Sequence, residues 1–346
     1  MPVKVLIIRF SSIGDIVLTT PVIRGVKEQL GAEVHFLTKD GFTAVLKSHP
    51  GIDRLWTIKK SISEVADDLA RECFDHIIDL HVNLRTWELS ARIALYHTLH
   101  LRNAPKTRLP HWHSFSKLNL EKYLLTRFGI NRMPEVHIVD RYLAAAAPLG
   151  VINDEGGLDY FISPEESVDL QAEKIPATFV AFVIGAAHAT KRLTEPQMID
   201  FCTALPHPIV LLGGPAELET GARIAAGKSN VINACGRFSL GGSADLVRQA
   251  SIVVTHDTGL MHIAAAFTKP IVSVWGNTVP AFGMYPYLPQ QAVEEKQRRQ
   301  EVDGLSCRPC SKIGHDQCPK GHFRCIKDQD PAVLAKVAAK LLSESR

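Results

Sequence analysis

The stretch "RFSSIGDIVLTTPVIRG", Arg9 to Gly25, follows an apolar run and has a single glycine, Gly14, followed at once by an acid, Asp15. A strand, a small polar turn and a helix normally cradle a phosphate, yet a carboxylate there repels one. What Asp15 faces is therefore the question the stretch raises, and its plain reading is a cap on the helix. A second stretch, "VVTHDTGLMHIAAA" (Val253–Ala266), ends a strand with Asp257 at the expected cap. Thr258 and Gly259 then offer unpaired N–H groups at the positive end of a helix, which suits a diphosphate, and His262 lies one turn on. In "VIGAAHATKRLTEPQMIDF" the cations Lys191 and Arg192 precede a helix and can hold the phosphates of a leaving nucleotide. In "VLLGGPAELE" Gly213 and Gly214 permit close approach, and Glu217 can take a ribose hydroxyl pair. Each has a plainer reading: a helix cap, an exposed basic pair, and a turn beside a solvated acid.

The four cysteines of "CRPCSKIGHDQCPKGHFRC", Cys307, Cys310, Cys318 and Cys325, form a candidate tetrahedral zinc set. A reduced packed loop and disulfides remain open beside it. Cys73, Cys202 and Cys235 read as core residues.

These residues need elements to position them. The 346 residues exceed one compact core, and two domains are expected. Strand-like runs alternate with amphipathic stretches throughout, which implies parallel sheets covered by helices. In the first half "VKVLIIRF", "EVHFLT", "IDRLWTI", "FDHIIDL" and "TLHLRN" read as strands, with a Pro21-kinked helix after the first. The pattern weakens from Gly150 to Thr178 and restarts with "FVAFVIG", "HPIVLLGG", "NVINACG", "ASIVVTHD" and "KPIVSVWG". A last helix starts at Asp330–Pro331. The expected divisions are 1–163, 164–329, and a C-terminal helix at 330–346 that returns to the first domain. Ligands of such sheets bind beyond the carboxyl ends of the strands, so two facing domains make a cleft.

The net charge is only +3, but His81 to Arg132 carries nine Lys/Arg against two Asp/Glu. A local basic face suits an anionic partner. Base-stacking aromatic–basic interleaving is missing from the sequence, which argues against nucleic acid. No run reaches the ~18 apolar residues of a membrane span. The N-terminal run, broken by Arg9, does not read as a signal peptide, so a cytoplasmic location is expected, with the inner-membrane surface open as a site of contact.

Taken in order, "SSIGD", the Lys191–Arg192 pair, "GGPAE" and "DTGLMHIAAA" resemble glycosyltransferase family nine, the ADP-heptose:lipopolysaccharide heptosyltransferases. Leu193 departs from the Trp that many members carry there. The resemblance implies a GT-B fold of two Rossmann-like α/β domains. It implies a second domain that holds ADP-heptose through Lys191, Glu217, Asp257, Thr258, Gly259 and Leu260. It implies a first domain that binds the acceptor, with Asp15 as base and Ser11, Ser12 and Gly14 shaping its turn. The "DLHVNLRTWELSARI" stretch is similar to a family Asp-Leu-x-x-Asn-x-Arg pattern. Asn83 and Arg85, with Arg102, Lys106 and Arg108, would then grip an anionic lipid A–Kdo acceptor. An inverting displacement needs no cofactor. A transferase or epimerase for another nucleotide sugar, or a zinc-stabilised nucleic-acid-binding module, remains the alternative.

Overall fold

The computed structural model describes residues 2–101 and 109–344. The chain divides into two compact units, each described by itself. The first comprises Met1–Lys117 and Ile138–Phe161, and the second Leu118–His137 and Ile162–Arg346.

The first unit is a five-stranded parallel sheet in the order β3-β2-β1-β4-β5. Its strands are β1 (Lys4–Ile8), β2 (Glu33–Lys39), β3 (Arg54–Ile58), β4 (His76–Asp79) and β5 (His111–Ser114). Val5 to Ile8 are buried one after another, as expected where helices cover both faces of a parallel sheet. The stretch after β1 makes two helices, α1 (Ile13–Val17) and α2 (Thr20–Leu30), with Pro21 inside the first turn of the second. Pro thus starts a new helix there instead of kinking a continuous one. α3 (Ala66–Arg71) and α4 (Leu84–Tyr96) follow, then α6 (Ile138–Ala146). Of "TLHLRN", Thr98–Leu101 do not form a strand, and Arg102 and Asn103 lie outside the described residues. Nothing breaks the helix at Tyr96, which runs on into a π turn at His97–Leu101, and the fifth strand forms at His111.

The second unit is a six-stranded parallel sheet in the order β11-β10-β9-β6-β7-β8. Its strands are β6 (Val180–Val183), β7 (Ile209–Leu212), β8 (Val231–Asn233), β9 (Ile252–His256), β10 (Ile271–Trp275) and β11 (Gln297–Glu301). Its helices are α5 (Asn119–Phe128), α7 (Glu195–Ala204), α8 (Leu218–Ala225), α9 (Leu240–Gln249), α10 (Gly259–Ala266), α11 (Val293–Lys296), α12 (Arg324–Lys327) and α13 (Pro331–Glu344). The edge strand β11 reads QRRQE and gives no apolar signal; it is held by its ladder to β10 and by an Arg298–Glu344 ion pair. The C-terminal helix, expected to return to the first domain, buries Leu334, Ala335, Ala338, Leu341 and Leu342 in the core of the second unit.

In each sheet the strand order reverses once, between β1 and β4 and between β6 and β9. Loops leaving the carboxyl ends of such neighbours form the natural ligand crevice. Asp15 follows β1 and Asn83 follows β4. Lys191 follows β6, and Asp257 follows β9.

Candidate active site

In the first unit Asp15 lies in the first turn of α1, where Ser12 caps the helix from extended backbone. One carboxylate oxygen, Oδ2, accepts from the Ser12 N–H at 3.2 Å, from the Ser12 hydroxyl at 3.0 Å, and from Arg9 Nη2 at 2.9 Å. Burial alone would raise the Asp15 pKa. The Arg9 charge and the Ser12 bonds outweigh it and hold the group below the usual carboxylate range.

Arg9 was not singled out from sequence, where it merely ends an apolar run. It is almost wholly buried and fully used. Nε donates to Ser11 O at 2.8 Å, and Nη1 donates to Leu80 O at 2.6 Å and to the Tyr142 hydroxyl at 3.0 Å. One guanidinium thus ties the ends of β1 and β4 to α6 and faces Asp15.

His81 packs edge-on against Phe10. Burial, then the Arg9 and Lys117 charges, push its pKa down to about 3, so the ring is neutral at physiological pH. Asn83 caps α4, its Oδ1 accepting from the Arg85 and Thr86 N–H groups. Capping thus occupies the Asn83 carbonyl and leaves its amide N–H₂ for a ligand. Arg85 is half-buried at the same helix start, with no ion pair among the described residues. Arg102, Lys106 and Arg108 lie outside the described residues.

In the second unit the motifs converge. Lys191 Nζ lies 2.7 Å from Asp257 Oδ2, which also accepts from the Thr278 hydroxyl at 3.0 Å. Arg192 Nη1 lies 3.6 Å from Glu217 Oε1, and Glu217 Oε2 accepts from the Gly214 N–H at 2.9 Å. A Cβ at Gly213 would sit 2.8 Å from that of Glu217, so this glycine makes room for the acid. Thr258, not Asp257, is the N-cap of α10. Asp257 falls one residue short and is taken by Lys191 instead. Gly259 and Leu260 open the helix, and His262 is buried in its body. Each cation is paired with an acid, so the first-turn amides of α10 carry the local positive potential. An incoming diphosphate would meet those amides and compete with Asp257 for Lys191.

Leu193 is buried, and its N–H donates to His256 Nε2 at 3.0 Å. Burial pushes the His256 pKa down to about 4.

A strap fixes the Lys191 loop, and sequence reasoning missed it. The buried Thr190 hydroxyl donates to Asn277 Oδ1 at 2.9 Å and accepts from the His315 N–H at 2.8 Å. Thr190 N donates to His315 O, and Asn277 N donates to Thr190 O. A Cβ at Gly276 would lie 2.2 Å from that same carbonyl, which explains the glycine. Arg308 reaches the Gly276 and Thr278 carbonyls from the cysteine-rich segment. That segment therefore braces the turn holding Asp257 through Thr278.

The seven cysteines are free thiols. Burial pushes the Cys310 thiol up, and Cys307 and Cys318 add to it. Cys325 is pushed up to about 11 by burial, then by Cys310, Cys318 and Cys307. The four sulfurs thus feel one another, and their chemistry suits a thiolate-loving metal. They are not drawn together as a closed ligand set. Among the described residues, the trio of His, Cys or carboxylate groups with ligand atoms within 4.8 Å of one another is Glu33, His35 and Glu72. Lys4 lies against both acids of that trio, at 3.5 and 2.8 Å, and Trp56 donates to His35 Nδ1, so those groups are already partnered.

Two parallel α/β units, each with its motifs at the strand ends, are the architecture of the GT-B fold. The family model described as glycosyltransferase family 9 (heptosyltransferase) matches residues 108–313, more than half of the chain, and the chain belongs to that family. It is 24% identical over 301 residues to lipopolysaccharide heptosyltransferase 1 of Escherichia coli K12, covering 80% of this chain and 89% of that protein. In fold it is similar to a family 9 glycosyltransferase from Veillonella parvula (TM-score 0.74, 21% identity, 99% of this chain and 97% of that one). It is also similar to E. coli ADP-heptose LPS heptosyltransferase II (TM-score 0.68, 20% identity, 99% and 100%). Among the described residues no helix is long and apolar enough to cross a membrane.

Proposed function

We propose that this enzyme moves a heptose from ADP-heptose to an anionic acceptor of the lipopolysaccharide inner core, with inversion at the anomeric carbon. Asp15 accepts the proton of the acceptor hydroxyl as its oxygen attacks that carbon opposite the departing ADP. Lys191 and the α10 amides at Thr258–Gly259 take up charge growing on the diphosphate. Arg192, Gly213, Gly214 and Glu217 border the nucleotide, and Asn83 and Arg85 orient the acceptor. Such a displacement has a carbocation-like transition state, in which the attacking hydroxyl becomes acidic late. An ionised carboxylate in place serves it without a raised pKa. In this reading the thiols Cys307, Cys310, Cys318 and Cys325 close on one structural zinc ion when it binds, outside the transfer chemistry.

The observation that carries the reading is the division of labour on Asp15. Capping and the Arg9 pair all fall on Oδ2, and among the described residues no bond falls on Oδ1. Capping and proton acceptance therefore use different oxygens. Asp15→Asn is expected to lower kcat by about 10²–10⁴-fold while leaving thermal stabilisation by ADP intact and stronger than that by UDP or GDP. A variant within tenfold of wild type removes Asp15 as the base. Equal stabilisation by all three nucleotides removes ADP-heptose as the donor.

A further inference from the structure

Helix α4 is apolar on two opposite sides. Thr86, Leu89 and Ile93 are buried, with Leu89 and Ile93 in the core of the first unit. Leu84, Trp87, Ala91 and Leu95 recur at i, i+3, i+7 and i+11 and form a second stripe facing solvent. Leu84 is 82% exposed, Trp87 69% and Leu95 59%; Leu99, in the π turn beyond, is 66% exposed. An exposed stripe of this kind marks a binding surface. On the helix itself Arg85 has no ion pair among the described residues and Arg92 pairs with Glu88, so the stripe is flanked by a net positive charge; in sequence, His81 to Arg132 carries nine Lys/Arg against two acids. In the second unit α5, from the same stretch of sequence, repeats the pattern with exposed Leu120, Tyr123 and Phe128 beside Lys122 and Arg127.

We propose that the Leu84–Trp87–Leu95 stripe of α4 lies in the interface of an anionic lipid bilayer, the apolar side chains entering the headgroup boundary and the basic residues meeting lipid phosphates. The choice of a bilayer rests on charge complementarity and on the exposure of the stripe. A narrow apolar stripe on an exposed helix with a basic flank is the pattern of an interfacial amphipathic helix, and a Trp with one polar edge suits that depth. The site's own logic agrees. Asn83 and Arg85 open this helix, so the acceptor residues are carried by the element that would touch the membrane. The inference deepens the acceptor reading above and rests on it only for that last point.

The test is co-sedimentation with vesicles of phosphatidylethanolamine and phosphatidylglycerol, against vesicles of phosphatidylcholine, without donor or acceptor. Wild type should bind the anionic vesicles, with a blue shift of tryptophan emission that Trp87→Phe removes. The triple variant Leu84→Ser, Trp87→Ser, Leu95→Ser, with circular dichroism showing a native fold, should bind at least about tenfold more weakly while transferring to a deacylated, water-soluble acceptor at the wild-type rate. Equal binding by the triple variant overturns the proposal. So does absence of binding by wild type, or light scattering that shows a second copy covering the stripe. Vesicle binding without any transfer leaves this inference standing and removes the functional reading instead.

Discussion

Replacing Arg9 by Met tests whether the ionisation of Asp15 governs the rate. The side chain is of similar length, so the loss is of charge and donors rather than of volume. Four contacts go: Ser11 O, Leu80 O, the Tyr142 hydroxyl and Asp15 Oδ2. Breaking a buried pair by deleting one partner costs about 3–5 kcal/mol. Asp15 keeps a fifth of its side-chain surface exposed, so hydration compensates in part, and about 3 kcal/mol is expected, roughly a hundredfold in the unfolding constant. The pH dependence is the sharper readout. A carboxylate with a depressed folded pKa contributes stability above its unfolded pKa, and loses it as pH falls through the folded value. Arg9→Met removes the main opposing charge and leaves burial, so the Asp15 pKa rises. The acid limb of kcat should move up with it. At pH 8 the carboxyl is still ionised, and the rate should stay within about tenfold of wild type. The assay is ADP release across pH 4.5–9, with urea denaturation in parallel. A folded, ADP-binding variant whose acid limb does not move would show that Asp15 is not the group being titrated, and the base assignment would fall.

Asp257→Asn removes a negative charge beside the site assigned to the diphosphate and frees Lys191. ADP should bind up to about tenfold tighter by calorimetry, whereas weaker binding would mean that Asp257 serves to aim Lys191. Gly276→Ala forces a methyl against the Thr190 carbonyl. It should cost about 1–3 kcal/mol, lower Tm by several degrees and loosen ADP binding together with it; a fall in Tm alone would separate the strap from the site. Elemental analysis should find one zinc per chain, lost in Cys310→Ser. A metal-free, fully stable wild type would exclude the thiol site.

Much of this architecture is legible in the residues because buried parallel strands must be continuous apolar runs. Nine of the eleven strands are such runs or nearly so, and the polar β11 and the histidine-rich β5 were the two that sequence reading lost. Helix α4 carries a clean helical period on its buried face, with Thr86, Leu89 and Ile93 at i, i+3 and i+7. The chemistry-bearing residues fall at strand ends because a loop is where a polar side chain escapes burial. Those are also the places where "SSIGD" and "DTGLMH" stand out.

What a motif cannot tell is its partner. Lys191 reads as a free cation and Asp257 as a cap only while each is considered within its own stretch. Their pairing follows from sheet order. β9 lies beside β6 with Val183 opposite Thr255, so a residue eight positions beyond β6 meets one just beyond β9, and the 65 residues between them are irrelevant. The same holds for Arg9, whose neighbours Leu80 and Tyr142 arrive with β4 and α6, and for Thr190, met by Asn277 and His315 from loops far along the chain. Bonds to backbone carbonyls leave no residue-type signal on their acceptor side. A strap built on Thr190 O, His315 O and Gly276 O is therefore silent in sequence, except at the one position where a side chain would not fit: Gly276.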